Sequence, residues 1–266
     1  MPVETSRSGS EAATAAGALA ASLPDLLVPT GIGLLGSFKL MFYAYALLGI
    51  ASALLYRRLP RAHADEQRHT APLGPSRGVV TKLAALFSLD AFAGGFVVQS
   101  LLALWLFERF DLSLTAAALF FFWSSTLSAF SYPVAVWIAR RVGLINTMVY
   151  THIPSSVFLI LAAFSPDLYV TLGLLLLRSA LSQMDVPTRT SYVMAVVTPA
   201  ERAAAASFTA VPRSLASAIS PMFAGFLLTT AFSGLPLVAC GVLKIVYDVA
   251  LLFFFRHIKP PEETNP

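Results

Sequence analysis

An all-α, multi-pass membrane protein is what this sequence predicts, and three observations carry the prediction. Of the 266 residues only 12% are charged and 57% are hydrophobic, a charged share about half that of soluble domains. The apolar residues come in runs long enough to cross a bilayer. Lys and Arg gather in alternate connections between those runs. A water-soluble chain of this size could not hide so much apolar surface in one core, and the mean hydropathy of +0.74 agrees.

A spanning helix needs about 20 mostly apolar residues. Seven segments meet that length: 37–57, 83–107, 114–138, 144–164, 167–186, 204–229 and 233–255. An eighth, 12–28, is short, Ala-rich and interrupted by Pro24 and Asp25. Two helix starts are signposted. Ser165-Pro166-Asp167 offers a cap, a proline at the first helical position and an acid in the first turn. Thr198-Pro199-Ala200-Glu201 has capping-box spacing, with Glu201 able to reach back to the Thr198 amide.

The connections after spans one, three and five, with the tail, hold twelve Lys and Arg residues, among them Arg57, Arg58, Arg140, Arg141 and Arg202; those after spans two, four and six hold only Arg109. The positive-inside rule therefore puts the C-terminus and the loop at 57–82 on the cytoplasmic side of the membrane. That loop is polar, proline-rich and without hydrophobic period, which reads as a flexible linker. The net charge of +4 is scattered between apolar runs rather than striped, so it speaks for topology and not for nucleic acid. The stretch around Asp185, Pro187 and Arg189 reads as a membrane-boundary loop, with Pro187 ending the helix and the chain restarting at Thr198. The alternative is that Gln183, Asp185 and Arg189 form a cytoplasmic gate.

Ionisable groups inside spans are costly and mark function or pairing. Counted at about 1.5 Å per residue from the cytoplasmic ends, Asp90, Arg178, Asp248 and Arg213 share one level. Lys244 and Asp248, four apart, fall on one helix face. These groups are either structural ion pairs or substrate and proton ligands. Gly94 and Gly95 in DAFAGGF allow close helix approach. His63, His69, His152 and His257 have no metal-ligand spacing, and no nucleophile–base constellation or phosphate loop is present. Neither an enzyme nor a cofactor is expected. The single Cys240 reads as a packing residue.

FKLMFYAYALL in the first span is echoed by LKIVYDVALL in the last, with Lys39 and Lys244 at matching positions and RRLP and RHIKP following. A repeat of this kind is how many transporters are built. On this order of spans, loop and repeat the chain resembles the major facilitator superfamily of transporters. IARRVG at 138–143 echoes the family's loop signature but has Arg140 where the acid would be, so no gating role is carried over to it. DVPTRTSYVMAVVTPAERAAAAS at 185–207 is similar to the matching loop of bacterial drug-efflux members.

The resemblance implies that residues 83–256 form the second six-helix half, that 57–82 is the central loop, that 1–56 retains one or two helices of the first half, and that 257–266 is a cytoplasmic tail. It implies secondary transport of a small molecule across the cell membrane, proton-coupled and drug-exporting, with Asp90 as the titrating or substrate-binding carboxylate and Arg178 as its partner. A missing first half or a second copy is the expected partner. A transport-inactive fragment and a seven-span receptor are the rival readings.

Overall fold

The computed structural model describes residues 13–58 and 71–256. Nine longer helices carry the fold, numbered here in chain order: α1 Leu34–Arg58, α2 Arg77–Gly95, α3 Gln99–Phe110, α4 Leu114–Val142, α5 Leu144–Phe164, α6 Leu168–Ser182, α7 Asp185–Val196, α8 Arg202–Leu228 and α9 Leu235–Phe255. Among the described residues there is no strand. The linker residues 59–70, the tail from 257 and the histidines His63, His69 and His257 lie outside the described residues.

Six helical stretches are long and apolar enough to cross a membrane: Leu35–Arg58, Arg77–Phe110, Leu114–Val142, Leu144–Phe164, Pro199–Leu228 and Leu235–Phe255. The protein is an integral, multi-pass helical membrane protein. The second expected span is longer than its apolar core and is made of α2 and α3 with a break at Phe96–Val98. The expected span 167–186 is two helices, α6 and α7, neither long enough alone. The segment 12–28 is not one helix: residues 13–20 and Leu23–Leu27 are separate pieces, parted by a turn at Ala21–Ser22 with Pro24 at the second start.

Between 185 and 198 the expectation of a loop is wrong. α7 continues the span through Val196. Pro187 is its third residue, and the first four amides of a helix have no intrahelical partner to lose. The break before it is chemically satisfied. Gln183 turns its amide to the Leu181 carbonyl, and the Ser179 carbonyl, which an unbroken helix would pair with Gln183, takes the Ser128 hydroxyl at 3.3 Å.

The signposted starts were also reworked. Asp167, not Ser165, caps α6, its carboxylate accepting the Val170 amide at 2.8 Å. Glu201 forms no box with the Thr198 amide. Its carboxylate instead accepts the Gly74 amide, the Ser76 hydroxyl at 2.6 Å and the Thr198 hydroxyl at 2.9 Å, clasping the chain before α2 to the start of α8. Three donors, two from the chain before α2 and one from Thr198, satisfy it better than one local amide.

Helices α2, α8, α9, α5, α6, α7 and α4 pack into one bundle, with α8 on α2 and α9 on α5 as its most extensive seams. Gly95 lets α8 approach: a Cβ there would lie 2.5 Å from the Ser220 Cβ. Gly94, beside it, faces open space. Two apolar clusters fill the bundle at different heights. One holds Phe96, Trp105, Leu159, Leu175 and Cys240; the other holds Leu83, Phe87, Met148, Tyr192, Tyr247 and Leu251. Phe87 on α2 and Phe96 just past its end, Met148 and Leu159 on α5, and Cys240 and Tyr247 on α9 bracket one intermediate level, and the charged side chains sit there.

A buried charge cluster beside an open cavity

Each helix brings its charge by ordinary face periodicity. On α2, Leu83, Phe87 and Asp90 lie at helical spacing and all are buried. On α7 the buried set is Asp185, Thr188, Arg189, Tyr192 and Val193. On α9, Cys240, Asp248, Leu251 and Phe255 share the buried face.

Asp90 is the centre. Its Oδ1 accepts from Lys244 Nζ and its Oδ2 from Arg189 Nη2, both at 2.7 Å. Arg189 Nη2 also donates to Asp185, one turn back on α7. Lys244 Nζ lies 3.2 Å from His152 Nε2, and His152 Nδ1 lies 2.9 Å from Asp248 Oδ1. An ammonium only donates, so the neutral His152 that fits accepts at Nε2 and donates from Nδ1 to Asp248. The chain of contacts runs Asp185, Arg189, Asp90, Lys244, His152, Asp248. Asp248 is fully buried, and Asp90 and Arg189 are 5% and 6% exposed. Charges so placed persist only when paired and hydrogen-bonded.

Asp90 and Asp185 pair with Arg189 and Lys244, and Asp248 pairs with His152. Within this chain of contacts the carboxylates outnumber the permanent cations by one, and Arg213 on the adjoining cavity wall supplies a third positive charge. The guanidinium of Arg189 is also incompletely used: Nε and Nη1 are buried without a partner. Its plane lies over Phe87, 5.0 Å from the ring centroid.

One side of the cluster borders a cavity of about 640 Å³ lined by α2, α6, α7, α8 and α9. Asp90, Gln183, Asp185, Arg189 and Arg213 all line it, as does Lys244. Five of the seven residues singled out in the sequence thus meet in one place, and Asp248 lies just behind them. Arg178 does not join. It forms no ion pair among the described residues, so it is not the partner of Asp90. Because α7 extends the span, Arg178 sits 11 residues, about 16 Å of helix rise, from Arg189, beside the Ser155 hydroxyl that its carbonyl accepts at 3.2 Å. Lys244 does not pair with Asp248 either, since His152 stands between them. His152 is the member that the sequence reading missed, and Lys244, noted there beside Asp248, was not tied to Asp90. The signal was present in both: each is an ionisable group within an apolar span.

Among the described residues no group of His, Cys, Asp and Glu could hold a metal ion. A family model described as Major Facilitator Superfamily matches residues 83–266. Among curated proteins none matches the chain.

Proposed function

Because the chain belongs to the major facilitator superfamily, whose members carry small molecules across membranes, we propose that it is a proton-coupled secondary transporter. The charge cluster is its coupling element and the adjoining cavity its substrate site. One observation carries this: a buried, hydrogen-bonded chain of ionisable groups, Asp185, Arg189, Asp90, Lys244, His152 and Asp248, whose first four members stand on the wall of an open cavity. A buried carboxylate hydrogen-bonded to an imidazole gives such a cluster two states that differ by a proton, and each favours different contacts. With the proton aboard, the His152–Asp248 pair is balanced and Lys244 stays with Asp90. Without it, the negative charge of Asp248 draws Lys244 from Asp90, loosening the tie between α2 and α9. Gln183, Asp185 and Arg189 act in this reading as the gate.

The open side of the cavity is closed by a matching six-helix half, on a longer chain, as a separate chain or as a second copy. Alternating access is the rocking of one half against the other. The basic connections lie in the cytoplasm, and the likeness of the sequence at 185–207 to the matching segment of drug-efflux members supports export of drug-like compounds.

The test is proton release. Inside-out vesicles from cells making the protein are energised to acidify their interior, and a panel of anionic, neutral and cationic small molecules is added. At least one compound is expected to dissipate the gradient, read by a pH-sensitive dye, and Asp248→Asn should abolish that response. If no compound acts beyond control vesicles, or Asp248→Asn responds like wild type, proton coupling through this cluster is wrong.

A further inference from the structure

We infer that the cavity takes an organic anion, a small molecule bearing a carboxylate or similar oxyanion. The inference rests on the cavity being the transport site and adds its chemical preference. Its wall carries three cations, Arg189, Arg213 and Lys244, and two carboxylates, Asp90 and Asp185, a net of one positive charge. The carboxylates are spent. Asp90 holds Lys244 and Arg189, and Asp185 holds Arg189. One cation is not. Arg213, exposed on the cavity wall, makes no ion pair and no hydrogen bond among the described residues. Arg189 Nε and Nη1 also lack an acceptor, but both atoms are closed off from the cavity.

An oxyanion entering the cavity therefore meets, in Arg213, a guanidinium that no carboxylate of the protein holds within ion-pair distance. Guanidinium groups are the side chains best shaped for this, since they grip an oxyanion through paired N–H donors. A cationic ligand finds the opposite. No free carboxylate lines the cavity, and no aromatic ring lines it to offer its face. Gln183, Ser214 and Ser217 supply neutral polar groups for the remainder of the molecule.

Binding can be measured apart from transport. The purified full chain in detergent is titrated by calorimetry with three isosteres: 2-naphthoate, 2-naphthamide and 2-naphthylmethylammonium. Naphthoate is expected to bind at least tenfold tighter than either of the others. Arg213→Gln should lose most of that preference and Arg213→Lys should keep part of it. Arg141→Gln, on the exposed end of α4, should match wild type. Equal binding of the three, preference for the ammonium, no binding of any, or naphthoate binding untouched by Arg213→Gln would each overturn the assignment. A positive titration with no proton release in vesicles would leave the anion site standing and remove only the transport reading.

Discussion

Helices α1 and α9 carry similar sequences and meet different fates. Each places a lysine near the same point of an apolar run, Lys39 in FKLMFYAYALL and Lys244 in LKIVYDVALL. In α9 the lysine is drawn inward, with a side chain only 12% exposed, between Asp90 and His152. In α1 it stays exposed, and Leu35, Phe42, Tyr45, Leu48 and Tyr56 are all two-thirds or more uncovered. α1 packs on the short helix Leu23–Leu27, which reaches the bundle through Asp25 and Thr115 at 2.8 Å. Apolarity qualifies both helices for the membrane, but only complementary charge on neighbouring helices makes a lysine a structural element. α9 has α2 and α5 to answer it.

The largest effect that would break this contrast is loss of the α9 charge. Lys244→Met leaves Asp90 with one cation and His152 Nε2 without its donor, so a destabilisation of about 3–5 kcal/mol is expected in thermal unfolding. Lys39→Met should stay within about 0.5 kcal/mol. Equal effects would mean that the cluster does not hold the bundle.

Asp90→Asn comes next. It keeps the side chain's shape but removes the charge that gathers Lys244 and Arg189. The protein should still insert while pH-dependent transport is lost, measured as flux against imposed pH gradients. Full pH-dependent flux in this variant would transfer coupling to another group.

A smaller effect concerns packing alone. Gly95→Val forces a side chain into Ser220 and should cost about 1–3 kcal/mol by overpacking. Gly49→Val in α1, where nothing lies within 4 Å, should cost less than about 0.5 kcal/mol. Thermal unfolding of the pair tests whether α2 and α8 require their close seam.

The finest comparison is topological. α1 and α9, as repeats, should end on the same side. Arg57→Cys and Arg256→Cys are expected to resist a membrane-impermeant thiol reagent in intact cells, and Glu108→Cys to react. Cys240, fully buried, gives a silent background. Reaction at 57 but not at 256 would separate the two helices.

The spans and most of the cluster were legible because cost is local: a charge in an apolar run is visible without knowing its neighbours. Asp90, Asp248 and Arg213 were found that way. Pairings were not legible, because they depend on how helices from distant parts of the chain align in height. Misplacing the end of the fifth span by 10 residues, at 186 rather than 196, moved Arg178 to the wrong level and Asp185 and Arg189 to the bilayer surface. Pro187 was misread for a related reason. A proline ends a helix from its middle and begins one from its first turn, and residue type alone does not say which.

The interruptions in α2–α3, α6–α7 and α8 have a mechanical consequence. Gly95 and Val98 flank the first, and Ser182 and Gln183 the second. Pro221 deprives the Ser217 carbonyl of its helical donor in the third. Gly95, Val98, Ser182, Gln183 and Ser217 all line the one cavity. Three neighbouring rods are therefore weakened at a common height. A beam bends where its section is weakest, and adjacent beams notched together bend about a shared axis. A bundle notched in this way bends along a line through the cavity, so a molecule filling the cavity would act at the fulcrum rather than at the end of a lever.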